Sequence, residues 1–393
     1  MTGVLLFVAA ILVVVMIHEA GHFLVAKAFD FKATKFFVGF GPTLWSTTRG
    51  ETEYGVKALP LGGFVKIVGM NPYEQVEAAD VPRSYPNKPR WQRALVLVAG
   101  SATHWLVAFV LLVVAAVAIG FPTGEATTTV AQVTESLGGE TTPAGETDLR
   151  SGDRILALDG RGVESWDEVS SYIKDRAGED ITLTVERDGE RRTVAARLGT
   201  AVFDAEGNVV AYAPPGGRAP EPPAGGTEGG FFGVSPEPEF RKEGLGGAIA
   251  EAAGQTWELT TLSVTGIGEV FSMVFDGTLW EALTGEGERQ PTEGPLGLVG
   301  AGRIAGATIQ AGDWLNFIGL IVSFTIFVGL MNLLPLPPLD GGHLAVLAWE
   351  AVTGKAVDVR KLIPLAAAVI SFFVVLFLAV LYLDLARPVQ LPF

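Results

Sequence analysis

The chain has 393 residues, of which 49% are hydrophobic and only 18% charged, with a net charge of −15 and no cysteine. Low charge with high apolar content points to a membrane protein that carries a soluble part. Without cysteine there can be no disulfide, thiolate metal site or cysteine nucleophile. The acidic balance argues against nucleic acid as a partner, because phosphate binding needs clustered Lys and Arg. Any metal must be held by His, Asp or Glu, a donor set that suits catalytic zinc. All four histidines, His18, His22, His104 and His343, fall in or beside apolar segments.

The apolar run from Val4 to about Leu24 is long enough to cross a bilayer at about 1.5 Å rise per residue. It has no basic leading segment and no clear cleavage signal, so residues 1–26 read as a transmembrane helix rather than a signal peptide. Inside it lies His18-Glu19-Ala20-Gly21-His22. Histidines four apart sit one turn apart on nearly one helix face, so both imidazoles can reach one metal ion. Glu19 is then placed to activate a water on that metal. Ionisable residues at membrane depth are costly and point to function. The bland alternative is a polar cap at the end of a membrane helix.

Residues 27–93 form a polar connection with ten Lys and Arg against six Asp and Glu. A loop of that sign marks the cytoplasmic side. Within it, Tyr54 to Val68 alternates and carries the glycine pair Gly62-Gly63, the pattern of a β-hairpin or β-loop with an apolar face. Such backbone is tolerated at membrane depth only where protein buries it or a wet cavity receives it; an ordinary cytoplasmic loop is the alternative. Residues 94–121 form a second span. It contains Gly100-Ser101-Ala102-Thr103-His104, in which His104 is a third metal ligand, a transition-state hydrogen-bond donor, or a polar packing group.

Residues 126–236 read as a small α+β module. Ser151 to Val163 makes two strands around a turn at Asp159-Gly160, a helix follows near Trp166, and a hairpin turns at Asp188-Gly189. Residues 201–230, crowded with Gly and Pro, read as a flexible insertion. Residues 127–312 hold fourteen basic and about thirty acidic residues, which fits the outer side. Residues 244–312 read as amphipathic helices and a connector, resting on the membrane or on the protein, with a soluble helical pair as the alternative.

A third span with its polar end covers residues 313–343, and a fourth covers 363–385. Between them Asn332-Leu-Leu-Pro335-Leu-Pro337-Pro338-Leu339-Asp340-Gly341-Gly342 must break the helix. An aspartate directly after a broken membrane helix invites a metal or substrate role. His343 reads as its neighbour rather than a ligand. The short loop with Lys355, Arg360 and Lys361 is basic, hence cytoplasmic. The alternation of spans then puts His22 and Asp340 at one membrane level.

These residues resemble the site-2 protease family of intramembrane zinc metalloproteases, and most closely its bacterial members. His18-Glu19-x-x-His22, Asn332 through Asp340-Gly341-Gly342, and the Ser151-Gly152-Asp153 module between them occur in the family's order. The resemblance implies a polytopic α-helical membrane protein of about four transmembrane helices, with a membrane-associated β-loop and an inserted extracytoplasmic PDZ-like α+β domain. It implies Zn2+ held by His18, His22 and Asp340, Glu19 as the catalytic glutamate, and Asn332 helping to hold substrate extended. Pro60-Leu-Gly62-Gly63-Phe-Val-Lys66 resembles the family's β-loop, which would pair with an unwound substrate strand. Many members have Gly-Pro-x-x-Asn where this chain has Gly100 to His104, so His104 replaces an asparagine assigned to the transition state. The implied setting is the cytoplasmic (inner) membrane, with the active site towards the cytoplasm. The implied substrates are single-span membrane proteins, such as anti-sigma factors already trimmed by an upstream site-1-type protease. A membrane metal transporter or a non-catalytic PDZ-bearing scaffold are the competing readings.

Overall fold

The computed structural model describes residues 2–71, 73–205, 207–242, 244–285, 294–355 and 357–389. The chain divides into two compact units, Met1–Ile119 with Glu243–Phe393, and Gly120–Lys242.

Helix α1 (Thr2–Ala28) runs without a break through the His-Glu-x-x-His stretch, as its unbroken series of helix-compatible apolar residues allows. It ends where Asp30 turns left-handed at φ 56°. Two long strands follow, β1 (Ala33–Arg49) and β2 (Thr52–Ile67). Both bend, so Phe36 faces Val65 on one side and Tyr54 on the other, while Thr47 faces Tyr54 from beyond. Residues 63–67 thereby form an outer edge, paired only with the start of β1. The far turn of this sheet is clamped to the end of α1. Arg83 donates to both carboxylate oxygens of Glu51 at 2.7 and 2.8 Å, and Lys27 Nζ lies 2.5 Å from Glu51. The Arg83 guanidinium holds the Glu51 carboxyl well below the usual carboxylate range. Helix α2 (Arg90–Ala118) starts after Pro89, which cannot itself join the preceding ladder.

The second unit is β-rich. Its elements are β3 (Phe121–Val133), β4 (Ser136–Leu137), β5 (Glu140–Thr141), β6 (Arg154–Leu158), β7 (Arg161–Gly162), α3 (Trp166–Lys174), β8 (Asp180–Arg187), β9 (Glu190–Arg197), β10 (Gly199–Phe203), β11 (Val209–Ala213), β12 (Thr227–Phe231) and β13 (Val234–Arg241). The main sheet runs β13-β3-β6-β8-β9, with β7 beside β6. Alternate residues Ile181, Leu183 and Val185 of β8 enter a core with Val130, Ile155, Val169 and Phe232. At Asp159-Gly160 and Asp188-Gly189 every φ is positive, which is what a two-residue hairpin turn requires. Residues 201–230 differ from the flexible insertion expected of them. They complete a three-stranded sheet, β11-β10-β12, with Ala201, Val202, Phe203 and Ala213 buried. Strands of five residues suffice here, and most of the Gly and Pro of this segment sit in the turns between them, while Gly229 and Gly230 lie within β12.

The first unit resumes with α4 (Leu245–Asp276), α5 (Thr278–Thr284), α6 (Leu298–Gln310), α7 (Trp314–Leu333), α8 (Asp340–Thr353) and α9 (Ile363–Ala386). Residues 286–293 of the expected 244–312 connector lie outside the described residues. Four helices among the described residues are long and apolar enough to cross a membrane: Gly3–Ala28, Arg90–Ala118, Trp314–Leu333 and Arg360–Ala386. Asp384 of α9 accepts the N–H groups of Gly297 and Gly300, capping α6 from another helix. Helix α6 packs on α1, where a Cβ at Gly3 would stand 2.6 Å from the Ala305 carbonyl.

One ion pair anchors the second unit. Asp153 is fully buried and accepts from Arg187 Nε at 2.6 Å and from the Arg150 N–H at 2.8 Å. Burial alone would raise its carboxyl, but the Arg187 and Arg150 hydrogen bonds outweigh burial and hold it below the ordinary range. A folded-state pKa below the unfolded one stabilises above about pH 4, and that stability is lost as pH falls through the folded value. Asp153→Ala is expected to destabilise residues 120–242 by about 2 kcal/mol at neutral pH. The loss should shrink in acid. Urea-dependent proteolysis of the intact chain at pH 7 and pH 3 measures both.

Candidate metal centre

The centre is built where α1 crosses α2. Small residues let the helices touch: a Cβ at Gly21 would stand 2.6 Å from the Ala99 carbonyl. Position 100 is tighter still, since a Cβ there would lie 2.2 Å from His22 Nε2. The third donor comes from the chain break after α7. Helix α7 ends at Leu333, the proline-rich segment turns, and Asp340 opens α8. That turn needs its glycines, because a Cβ at Gly341 would stand 2.1 Å from the Leu333 carbonyl, and one at Gly342 2.4 Å from Pro337 N.

His18, His22 and Asp340 each offer one ligand atom, and these atoms lie within 4.8 Å of one another. His22 Nε2 is 3.1 Å from His18 Nε2 and 3.3 Å from Asp340 Oδ2, and His18 Nε2 is 3.5 Å from the same oxygen. Both imidazoles are buried. The tautomer of His22 follows from its other nitrogen: Nδ1 lies 2.7 Å from the Val96 carbonyl, which can only accept. The proton therefore sits on Nδ1, and a neutral His22 presents a bare lone pair at Nε2. Two imidazole nitrogens and one carboxylate oxygen, one lone pair fixed by a backbone carbonyl, fit a zinc ion that keeps a fourth position open.

Glu19 stands beside this group, with Oε2 accepting the Val65 N–H at 3.0 Å. That donor belongs to the outer edge of the sheet. A cavity of about 390 Å³ joins these parts, and His18, Glu19, His22, Asp340, His104, Asn332, Phe64 and Val65 are among its lining. Of the other residues singled out in the sequence, Asn332 thus faces the cavity. Gly62 and Gly63 do not line it. They adjoin it on the same strand, where a Cβ at Gly63 would meet Met16 Sδ at 2.4 Å. His104 faces the cavity but stands behind His18, its Nε2 3.1 Å from His18 Nδ1. His343 lines a different cavity, with Arg93 and Glu350. The Val65 N–H, the Val96 carbonyl and Gly100 were not foreseen. The first two are backbone groups that carry no residue-type signal, and Gly100 shows as the glycine that opens the counterpart of Gly-Pro-x-x-Asn, with nothing there to tie it to His22.

Because position 100 borders the lone pair of His22, Gly100→Ala is expected to lower zinc affinity by ~10–100-fold. Chelator competition on the purified protein measures it. Unchanged affinity would mean that the space beside His22 Nε2 is not needed for the ion.

Comparison with known proteins gives the family. The sequence profile of peptidase family M50 matches residues 6–379. The chain is 34% identical over 414 residues to the zinc metalloprotease Rip1 of Mycobacterium tuberculosis, covering 99% of this chain and 98% of that one. It is 30% identical over 385 residues to the metalloprotease MmpA of Caulobacter vibrioides, covering 89% and 86%. Among solved structures it is similar to the PDZ domain of the SdrC-like protein of Listeria monocytogenes. That likeness is 21% identical over 21% of this chain and 80% of that chain, with a TM-score of 0.17. The chain belongs to peptidase family M50, the site-2 protease family of membrane zinc metalloproteases.

Proposed function

We propose that the chain cleaves the transmembrane segments of single-span membrane proteins, with His18, His22 and Asp340 holding zinc and Glu19 acting as general base and acid. One observation carries this reading: a His-His-Asp donor group and the Glu19 carboxylate share one cavity with the outer edge of a strand. Zinc, when bound there, supplies Lewis acidity that makes water a nucleophile near neutral pH and polarises a peptide carbonyl. Glu19 takes the proton from the attacking water on a carboxylate oxygen and passes it to the leaving nitrogen. Val65 N–H orients that carboxylate. Asn332 faces the same cavity and can donate to a substrate carbonyl.

A helical substrate hides its carbonyls in hydrogen bonds, so the segment must unwind before it is cut. The edge at residues 63–67, paired to no strand on its outer side and with its Val65 N–H on Glu19, offers backbone for the opened strand, as in strand addition. The Gly62-Gly63 pair lets the edge lie close to α1. The basic surfaces of the 27–93 and 354–362 loops support a cytoplasmic position for this end of the first unit. Arg93 of α2 meets Glu350 of α8 at 3.4 Å, and Arg360 lies over the Tyr73 ring, so both loops meet on one side of the unit. Residues 120–242 then act outside as the PDZ-like domain. A groove of about 240 Å³ between α3 and Gly230–Val234 is a place for a peptide terminus. Substrates trimmed by a site-1-type protease, anti-sigma factors among them, fit such a filter.

Glu19→Ala is expected to keep zinc and to lose cleavage of a single-span substrate by ~10²–10⁴-fold. Asp340→Ala is expected to lose both. Zinc content and cleavage in detergent, compared across the two variants, test the assignment. Retained cleavage by zinc-loaded Glu19→Ala would sink it.

A further inference from the structure

Of the four histidines, the reaction above does not use His104 or His343, and His104 is the one beside a proposed ligand. His104 lies on α2 with only 1% of its surface exposed, among apolar helices. Its Nε2 stands 3.1 Å from His18 Nδ1, and its own Nδ1 is buried without a hydrogen-bond partner. The approach is built in: a Cβ at Gly329 of α7 would come within 2.8 Å of the His104 Cβ, so glycine there makes room for the imidazole.

We propose that His104 is a positioning residue that fixes the tautomer and ring orientation of His18. The inference rests on the reading of His18 as a zinc ligand. The metal-facing atom of His18 is Nε2, the one near His22 and Asp340. A neutral imidazole carries one proton. If Nε2 is to offer its lone pair, the proton must be on Nδ1, and the acceptor 3.1 Å away is His104 Nε2. His104 must then carry its own proton on Nδ1. The protons of three imidazoles are thus set in series: Val96 fixes His22, and His104 fixes His18. The reverse arrangement, with His104 Nε2–H donating to His18 Nδ1, places the His18 proton on Nε2 and blocks that ligand. The metal-ready state therefore selects one proton arrangement of the pair. The same geometry keeps His104 Nε2 turned towards His18 and so places it outside the ligand set.

The test uses the full-length protein in detergent. His104→Gln keeps an acceptor oxygen near the place of Nε2, and His104→Leu removes it. His104→Leu should weaken zinc binding by ~10–100-fold in chelator competition, and His104→Gln should restore most of the loss. Equal affinity in wild type and His104→Leu would overturn the proposal, leaving the Gly100 carbonyl, which also bears on the His18 ring, as the sufficient acceptor. Nitrogen-15 histidine spectra of zinc-loaded wild type give a second readout that needs no variant to fold. Only four residues contribute. His18 should show a protonated Nδ1 and His104 an unprotonated, metal-free Nε2. A protonated or metal-bound His104 Nε2 overturns the proposal. Asp340→Ala separates the two levels. If it binds zinc like wild type, the ligand assignment itself has failed. If it loses zinc while His104→Leu does not, only the role of His104 has failed.

Discussion

A polar side chain carried through an apolar helix must find its partners in other elements, and α1 carries three such residues within five positions. Unpartnered polar groups away from water cost several kcal/mol each in the least favourable case. Here α2 supplies a carbonyl to His22 and an imidazole to His18, β2 supplies an N–H to Glu19, and α8 supplies the carboxylate between the two histidines. The fold of the first unit can be seen as the arrangement that delivers these four groups to one turn of α1. The glycines at 21, 100 and 329 serve the same end, since each removes a side chain where two helices or a helix and an imidazole must approach.

The sheet formed by β1 and β2 is held at one end and open at the other. Glu51, gathered in by Arg83 and Lys27, ties its turn to the foot of α1. Phe37 and Phe64 stack 5.6 Å apart in its body, and Phe31 and Ile67 enter the core beneath α2. Residues 63–67 are thereby placed against Glu19, although one side of the strand pairs with no other strand. An open edge is a liability in a soluble protein. Beside the Glu19 carboxylate it is a surface already shaped for extended chain.

Much of this was legible in the sequence, for physical reasons that can be named. Helical spacing made His18 and His22 neighbours, proline and glycine forced a break before Asp340, and alternation from Tyr54 onward announced strands. The Asp-Gly pairs at 159 and 188 carried their own turn chemistry. What could not be read was supplied by backbone. Nothing about the residue type of Val96 says that its carbonyl will settle a tautomer, and nothing about Val65 says that its N–H will meet Glu19. The short strands within 201–230 were hidden because composition averages over the turns that surround them. The place of His104 depended on which nitrogen of which ring it would face, and that follows only from how closely α2 packs on α1 and α7.

If substrate docks on the outer edge as proposed, the hydrogen bond from Val65 to Glu19 links that docking to the carboxylate through a single proton. One donor on the outer edge is already engaged with the carboxylate, so a strand laid along that edge either leaves this position unmatched or takes the donor for itself. In the first case the register of the incoming chain is restricted, because its carbonyl must avoid one rung of the ladder. In the second, docking of the chain and release of the carboxylate are the same event. Either way, a substrate docked there as proposed would meet main-chain groups before any side chain, which would favour segments that unwind easily over segments of a particular sequence.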